Sequence, residues 1–329
     1  MAKRLIEMGN HVIPVVLFSK CLGFDHCRYN GEIINDEFVQ MLVPLVEVKT
    51  VCAEVEIGLG VPRDPIRIVS QGDDLKLVQP ATDKDVTREM LDFCDSFLGS
   101  LQDVDGFVLK FRSPSCGIKD VRRFPPGEKK ASLGKGAGFF GGAVLEHFPH
   151  LGVETEGRLK SFKIREHFLT RLYTMARFRE MKRGGSMKDL VAYHTQNKFL
   201  LMAYNQKELK EMGRLVANPE KRPVAEVISD YGEHLSRAMS RSPRYTSNIN
   251  VLMHAMGYFS DRISSEEKSY FLDSLQRYRQ GQIPLSVCIH IIKSWIIRFD
   301  EPYLGQQDYF DPYPEELMFI SDSGKGRRL

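Results

Sequence analysis

The stretch VDGFVLKFRSPSCG, residues 104–117, decides how the first half of the chain folds. Its opening, VDGFVLKF, is a short apolar run of branched and aromatic side chains, which is typical of a buried strand. A turn with proline, serine and glycine follows at once and carries Cys116. A cysteine in that place has three alternative roles: a buried filler, a nucleophile or a metal ligand.

Strand-like and helix-like segments alternate on both sides of this stretch. The strand candidates are HVIPVVLF, LVEVKTVC, PIRIVS and LKLVQP, the last two as a hairpin or paired strands. The helix candidates are TREMLDFCDSFLGSL and GFFGGAVLEHFPHL. This alternation predicts an α/β domain with a Rossmann-like, largely parallel sheet.

The second half of the chain has a helical pattern almost throughout. Apolar residues recur at helical spacing in DLVAYHTQNKFLLMAYN, VAEVISDYGEHLSRAM, SSEEKSYFLDSLQRYRQG and PLSVCIHIIKSWIIRF. Ser264 and Glu267 form a capping box, and Pro284 suits a first helical position. We therefore predict an α/β N-terminal domain followed by an all-α C-terminal domain, with a break at residues 184–186.

The composition is that of a globular protein, with 42% hydrophobic and 27% charged residues among 329. No apolar stretch approaches the ~18 residues of a membrane helix, and the start has no signal-peptide pattern. We therefore expect a cytoplasmic protein without membrane contact, whose six cysteines form no structural disulfides. Cys94 and Cys288 lie in apolar helical patterns and are expected in the core.

The charge is distributed unevenly along the chain. Residues 157–329 hold 28 Lys and Arg against 20 Asp and Glu, whereas residues 1–156 have an acidic excess. The steepest run, residues 157–188, has ten Lys and Arg against two Glu. Such a run suits a polyanion such as nucleic acid, and it equally suits a solvated helix face.

Three cysteines each follow a predicted strand: Cys21, Cys52 and Cys116. In an open α/β sheet, ligands gather beyond the carboxyl ends of the strands, so these loops could converge. Three thiolates suit an iron–sulfur cluster, or a zinc ion with one open position. Structural cysteines and a nucleophile with a separate base remain alternatives.

Longer motifs resemble two known families. SKCLGFDHCRYNG, VCAEVEIGLGVPRDP, KFRSPSCG and FPHLGVETEGRL, in that order over residues 10–160, resemble the thiouracil desulfurase family. LVAYHTQNKFLLMAYNQKELKEMGRLV, NINVLMHAMGYFSDRISSEEK, YRQGQIPLSV and YFDPYPEEL, over residues 185–317, resemble the YbgA helical family. Together they resemble the fused two-domain desulfurases of 4-thiouridine in tRNA.

The resemblance implies that successive segments of the chain have different functions. Residues 1–160 would form the cluster-binding catalytic domain, and residues 161–188 a basic helix and linker. Residues 189–318 would form the helical, RNA-binding domain, and residues 319–329 a disordered tail. The implied partner is tRNA, and the sequence does not indicate an oligomeric state.

The resemblance also implies a cofactor and catalytic groups. A [4Fe–4S] cluster would be held by Cys21, Cys52 and Cys116, with one iron free of protein ligands. The implied reaction is a non-redox desulfuration of thiolated uracil, above all 4-thiouridine in tRNA, with release of sulfide. Catalytic roles fall to Ser113 and to a glutamate, for which we predict Glu47, with Glu54 as the alternative.

Two features near the motifs bear on this interpretation. Ala53 stands where the family has proline, which loosens the loop but removes no ligand. Cys27 is an additional thiol that would close the open iron if it were a fourth ligand. We expect Cys27 instead to pack or to face away.

If tRNA is the partner, the basic segment and the first helices beyond it would contact phosphates. One predicted helix, residues 189–204, would place His194 and Lys198 on the same face. Tyr278 and Tyr313 could stack on unpaired bases. The candidate RNA-binding residues are Arg158, Lys160, Lys163, Arg165, Arg171, Lys182, Arg183, His194, Lys198 and Arg214.

Three other functions remain open at this point. The substrate could be free thiouracil or a thiolated nucleoside, which needs no basic segment. The chain could be a non-catalytic RNA-binding or iron-sensing protein. It could also be a zinc hydrolase built on the same three cysteines.

Overall fold

The computed structural model describes residues 11–72, 74–127 and 131–318, and the chain forms two compact units. The first unit comprises residues 12–176 with residues 316–318, and the second comprises residues 177–315 with His11. The predicted tail, residues 319–329, lies outside the described residues. The division between the units falls inside a helix of the segment 161–188, which we had assigned to a basic helix and linker.

The first unit is built from short strands and helices. The strands are β1 Val15–Ser19, β2 Glu47–Val51, β3 Arg67–Gln71, β4 Asp74–Gln79, β5 Lys84–Asp85, β6 Gly106–Leu109, β7 Val121–Phe124, β8 Gly134–Gly136 and β9 Gly152–Thr155. The helices are α1 Glu37–Leu42, α2 Ala53–Glu56, α3 Thr87–Ser100, α4 Phe139–His147, α5 Glu156–Leu159 and the long α6 Phe162–Gly184, which continues into the second unit.

A parallel sheet with the strand order β2-β1-β6-β9 forms the centre of this unit. Every residue of β1 and β6 is buried, which explains why both read as continuous apolar runs. Because the four strands run in one direction, the loops after β1, β2 and β6 leave from the same edge. The predicted α/β class with a largely parallel sheet is confirmed.

A second sheet has the order β5-β4-β3-β7-β8. The predicted pair PIRIVS and LKLVQP forms its β3–β4 hairpin, which is antiparallel. Only the β3–β7 pairing is parallel among the described strands of this sheet. Its strands β3, β4 and β5 lie between Cys52 and Cys116 in the chain, and β7 and β8 follow Cys116.

Hydrogen bonds at both ends fix the register of β1 against β6. The backbone N–H of Val15 donates to the buried carboxylate of Asp105 at 2.8 Å, and the N–H of Asp105 donates to the Val15 carbonyl at 2.8 Å. At the other end, the N–H of Lys110 donates to the Ser19 hydroxyl at 2.9 Å. The point at which the RSPSCG turn leaves the sheet is therefore set by three contacts rather than by strand pairing alone.

Helix α4 packs against this turn backbone to backbone. The N–H of Gly138 donates to the Gly117 carbonyl at 2.7 Å, and the N–H of Gly141 donates to the Ser115 carbonyl at 2.9 Å. A Cβ on Gly138 would lie 2.5 Å from the Ser115 carbonyl oxygen, and a Cβ on Gly141 would overlap the Gly117 carbonyl oxygen. The glycines of GFFGGAV thus allow the helix to hold the cysteine turn in place.

The second unit is helical, as predicted. Its helices are α7 Met187–Gln196, α8 Lys198–Tyr204, α9 Gln206–Ala217, α10 Val224–Ala238, α11 Tyr245–Gly257, α12 Ser265–Arg279, α13 Leu285–Phe299 and α14 Pro302–Gly305. A hydrophobic cluster centred on Phe259, Phe271 and Trp295 joins the helices α8 and α11 to α14. No described helix combines the length and the apolarity that a membrane span requires.

Most of the predictions made for the ends of helices agree with the structure. The predicted capping box of Ser264 and Glu267 is present, and α12 ends at Arg279. Pro284 is the residue before α13 rather than its first residue. Cys94 and Cys288 are buried in the two cores, as predicted.

The predicted helix over residues 189–204 is wrong, because it is two helices that meet at Asn197. The side-chain amide of Asn197 donates to the Tyr193 carbonyl at 3.0 Å. The N–H of Phe199 donates to the side-chain oxygen of Gln307 at 3.1 Å instead of to a helical carbonyl. The break is therefore stabilised by a residue that lies far along the chain.

The glycine contact makes a prediction for stability. Gly141→Ala should lower the free energy of unfolding by about 1–3 kcal/mol, the usual effect of overpacking. The matched control is Gly142→Ala, whose Cβ would meet only the Ala137 Cβ at 3.5 Å. That control should leave stability unchanged or raise it by about 0.5–1 kcal/mol. Urea unfolding of both variants measures the difference, and equal effects would contradict the assignment.

Candidate functional site

A cavity of about 260 Å³ lies at the carboxyl edge of the parallel sheet. It is lined by parts of the segments 19–29, 51–54, 63–66 and 110–116. The first, second and fourth of these segments follow β1, β2 and β6. The cavity therefore lies where parallel α/β sheets bind their ligands, and its lining belongs to the first unit.

The structure brings Cys21, Cys52 and Cys116 together at this cavity, and all three side chains are buried. The carbonyl of Cys21 accepts from the N–H of Ile34 at 2.8 Å, which fixes the loop after β1. Cys52 precedes α2, and its carbonyl accepts from Val55 at 3.0 Å. The N–H of Cys116 donates to the Ser113 hydroxyl at 3.1 Å. Each thiol is thus carried by an ordered loop.

Cys27 also lines the cavity and is 3% exposed, so of the two expected placements it packs and does not face away. Its carbonyl accepts from the Cys52 thiol at 3.7 Å. Its own thiol lies close enough to those of Cys21 and Cys52 for both of them to shift its pKa. Four cysteines of three different loops therefore meet in one place.

The pKa values of Cys27, Cys52 and Cys116 are raised at this cavity, so these three thiols hold their protons strongly. Burial raises the pKa of Cys116 to about 12. The hydrogen bond with the Cys21 thiol raises the pKa of Cys27 to about 11. The hydrogen bond with the Cys27 thiol, together with burial, raises the pKa of Cys52 far above its ordinary value. A metal that binds here must displace these protons, because thiolates are the ligands.

The donor set fits a cluster better than a single ion. Among the described residues, no three His, Cys, Asp or Glu side chains are grouped around one metal position. A single zinc ion would need its sulfur ligands about 2.3 Å from one point. An iron–sulfur cluster spreads its thiolate ligands over separate irons. Buried cysteines on separate loops around a shared cavity therefore suit the cluster, and Cys21, Cys52 and Cys116 are the residues that would hold it.

Beside the thiols lies a hydrogen-bonded chain of Ser113, Ser115 and Glu54. The Ser115 hydroxyl donates to Glu54 Oε1 at 2.6 Å, and the two serine oxygens are 2.9 Å apart. Because the Ser115 proton is committed to Glu54, the Ser113 hydroxyl donates to Ser115. Ser113 also accepts from the N–H groups of Ser115 and Cys116 at 3.3 and 3.1 Å. The arrangement can pass a proton between the cavity and a carboxylate.

The other oxygen of Glu54 is bound by Arg63. The guanidinium donates to Glu54 Oε2 through Nε at 2.9 Å and through Nη2 at 2.7 Å. It also donates to the carbonyls of Gly60 at 2.8 Å and Cys27 at 3.1 Å. The Arg63 side chain is only 4% exposed. The glutamate of the site is therefore held by a buried cation.

Glu47, the predicted catalytic glutamate, does not line the cavity. It is the first residue of β2 and is exposed, whereas Cys52 follows the last residue of that strand. The alternative, Glu54, lies at the cavity. The sequence analysis also missed Ser115 and Arg63, although both lie inside the quoted motifs RSPSCG and GVPRDP.

The wall of the cavity is rich in cationic side chains. Lys20 pairs with Asp25 at 3.0 Å, and Arg28 pairs with Glu32 at 2.7 Å. Lys110 pairs with Glu156, whose carboxylate also accepts from the N–H of Phe111 at 2.7 Å. Arg112 is exposed at the same wall. The cationic groups outnumber the single carboxylate of Glu54 in the lining.

The candidate RNA-binding residues differ in their exposure. Exposed members of the set are Lys160, Lys163, Lys182, Arg183, Lys198 and Arg214. Arg183 and Arg214 pair with acidic neighbours on their own helices. Arg158 pairs with Glu154 at 2.7 Å, and Arg171 is half-buried and donates to the Pro149 carbonyl at 3.0 Å. The lysines are thus the members with side chains available at the surface.

Three candidates are not available for RNA contact as the sequence analysis assumed. Arg165 is 2% exposed, donates to the Leu159 carbonyl at 2.9 Å and lies over the ring of Phe38. His194 contacts the Tyr231 hydroxyl, and burial lowers its pKa, so it is neutral near pH 7. Tyr313 is buried and offers no stacking face.

The comparison with known proteins gives a separate family match for each of the two units. Residues 16–156 match the model of the 2-thiouracil desulfurase family, and residues 198–314 match a family of unknown function, DUF1722. The chain is 32% identical over 111 residues to the uncharacterized protein YbbK of Bacillus subtilis, which covers 31% of this chain and 73% of YbbK. It is 26% identical over 151 residues to the uncharacterized protein YbgA of Escherichia coli, which covers 45% of this chain and 89% of YbgA.

Among solved structures, one match is a [4Fe-4S]-dependent thiouracil desulfidase, TudS. The two chains are 27% identical, and the TM-score is 0.36. The match covers 44% of this chain and 93% of the other.

Proposed function

Because the chain belongs to the 2-thiouracil desulfurase family through residues 16–156, we propose that it is a desulfurase of thiolated uracil. The observation that carries the proposal is the meeting of Cys21, Cys52 and Cys116 with the chain of Ser113, Ser115 and Glu54 at one cavity. A non-catalytic RNA-binding or iron-sensing protein would have no need for a buried serine–carboxylate chain beside its thiols.

The proposed reaction is a hydrolysis. A thiocarbonyl and water give a carbonyl and hydrogen sulfide, so atoms and charge balance and no electron donor is needed. A [4Fe–4S] cluster on Cys21, Cys52 and Cys116 would supply a soft Lewis acid for the thiocarbonyl sulfur. All other steps fall to side chains of this protein.

Within this reaction, Glu54 takes the place that we had predicted for Glu47. Its Oε1 accepts the proton that the attacking water loses, through Ser115 or directly. Two backbone N–H groups occupy the lone pairs of the Ser113 hydroxyl, so Ser113 acts on the substrate by donating its proton, for example to a ring oxygen, while the relay to Glu54 runs through Ser115. Ser115 is buried, whereas Ser113 and Glu54 are partly exposed at the cavity, where water can reach them.

For the substrate, we favour 4-thiouridine within tRNA. The exposed lysines at 160, 163, 182 and 198 can contact phosphates, and the cationic cavity wall suits a polyanion. A second unit that matches a separate family would serve to bind the large substrate. Because the cavity is recessed, the target base would have to leave its stack to reach it.

A free thiolated uracil or nucleoside is the second candidate substrate. It is favoured by the fact that the described lining of the cavity comes from the first unit alone. Sulfide release from 4-thiouracil, 4-thiouridine and thiolated tRNA, compared at equal concentrations, separates the two candidates. A preference for tRNA supports the first, and equal rates support the second.

Loss of single cysteines tests the cluster. After anaerobic purification, the protein should contain about four iron and four sulfide per chain. Cys21→Ala, Cys52→Ala and Cys116→Ala should each lose the iron, whereas Cys27→Ala should keep it. Cys94→Ala, a core cysteine away from the cavity, is the control. Loss of iron in Cys27→Ala would mean that a fourth ligand closes the site, and bound zinc would contradict the mechanism.

The two glutamates give a matched pair of variants. Glu54→Gln should lower kcat about a hundredfold, the range of a lost general acid–base group. Glu47→Gln should stay within about twofold, because exposed Glu47 does not line the cavity. Sulfide release and iron content are measured on both. A larger loss in Glu47→Gln would overturn the assignment.

Salt dependence tests the tRNA contacts. If the exposed lysines bind phosphates, the logarithm of the tRNA association constant falls linearly with the logarithm of salt concentration. Changing Lys160 and Lys163 together to Ala should reduce that slope by about one unit per lost contact. Lys84→Ala, an exposed lysine of β5, is the control and should leave the slope unchanged. Identical slopes for all variants would argue against these contacts.

A further inference from the structure

We infer that Arg63 is a positioning residue that assigns the two oxygens of Glu54, one to itself and one to the serines. This inference rests on the proposed function, and it adds a residue that acts through Glu54. Nε and Nη2 of Arg63 both bind Oε2, at 2.9 and 2.7 Å. Oε1 is thereby left to the Ser115 hydroxyl, which donates to it at 2.6 Å, and the oxygen of Ser113 lies 3.4 Å from Oε1.

Both Nε and Nη2 of Arg63 donate to the same carboxylate oxygen, so the guanidinium fixes the position of Oε2 through two charge-assisted hydrogen bonds. A lysine is a single point of charge and cannot reproduce this pair of bonds in one rigid unit. With the guanidinium in place, an exchange of the two oxygens that would put Oε2 on Ser115 breaks both of these bonds.

Arg63 is itself held by the loops that carry the cysteines. Its backbone N–H donates to the Tyr29 carbonyl at 2.8 Å. Nη1 donates to the Gly60 carbonyl and Nη2 to the Cys27 carbonyl, at 2.8 and 3.1 Å. Four of the five guanidinium N–H groups are therefore used within the protein, and these four are not available to the substrate. The consequence is that Arg63 should affect the rate of the chemical step and not the binding of the substrate.

Kinetics of Arg63→Ala test this directly, with iron content measured on the same samples. We expect kcat to fall about tenfold or more, the effect of one lost charge-assisted hydrogen bond, with KM nearly unchanged. Added guanidinium ions should restore part of kcat, because they can occupy the space that the side chain leaves. Arg63→Lys should regain less than guanidinium does. Wild type and Arg88→Ala, a surface arginine of the same unit, are the controls and should not respond to guanidinium.

Several outcomes would overturn the inference. Unchanged kcat in Arg63→Ala would do so, and so would a fall in KM and kcat that guanidinium does not reverse. A loss of activity that only follows a loss of iron would make Arg63 a structural residue. If Arg63→Ala does not fold, Arg63→Lys and Arg63→Gln carry the same comparison.

A crystal structure of Arg63→Ala tests the geometry without any activity. We expect the Glu54 carboxylate to turn, so that the contact of Oε1 with Ser115 is lost. A carboxylate that keeps its 2.6 Å contact would refute the inference even in an inactive protein. A wild-type protein that releases no sulfide from any thiolated substrate would refute the proposed function, while the crystal structure would still decide the role of Arg63.

Discussion

The register of β1 against β6 is the constraint on which the site depends. Asp105 fixes one end of this pair and Ser19 fixes the other, through backbone N–H groups of the partner strand. Because a slip of one residue turns every side chain to the opposite face, this register decides where Ser113 and Cys116 emerge. The parallel pairing of β1 with β2 then brings Cys52 to the same edge.

The loops at that edge are held in place by hydrogen bonds to one another. The N–H of Lys20 donates to the Val51 carbonyl at 2.8 Å, and the Ser115 hydroxyl binds Glu54. Arg63 joins the loop after β1 to the loop after β2. The site is therefore complete only when the central sheet has formed. The buried polar groups of Ser19, Ser115 and Arg63 each have a partner within the same edge.

Sequence patterns correctly predicted the features that depend on the order of residues within a short segment, such as the ends of strands. The ends of strands can be read from apolar runs, and parallel strands end at a shared edge of the sheet. The placement of Cys21, Cys52 and Cys116 at one edge could therefore be predicted. Glu47 could not be separated from Glu54 in this way, because both flank Cys52 in sequence. Five strand residues at about 3.3 Å each put Glu47 at the wrong end of β2. The exposure of Arg165 was misjudged because its guanidinium lies over two aromatic rings, which a charge pattern does not reveal.

The crowding of Cys27 with Cys21 and Cys52 has a consequence for how the protein is handled. Because the thiolate is the form that oxidants attack, burial and a raised pKa make the thiols of Cys27 and Cys52 slow to oxidise in the cluster-free chain. Prolonged exposure to dioxygen or peroxide would still allow a disulfide between Cys27 and Cys52, which would join the loops after β1 and β2 and withdraw a proposed cluster ligand. A thiol reductant added before iron and sulfide would reverse that bond.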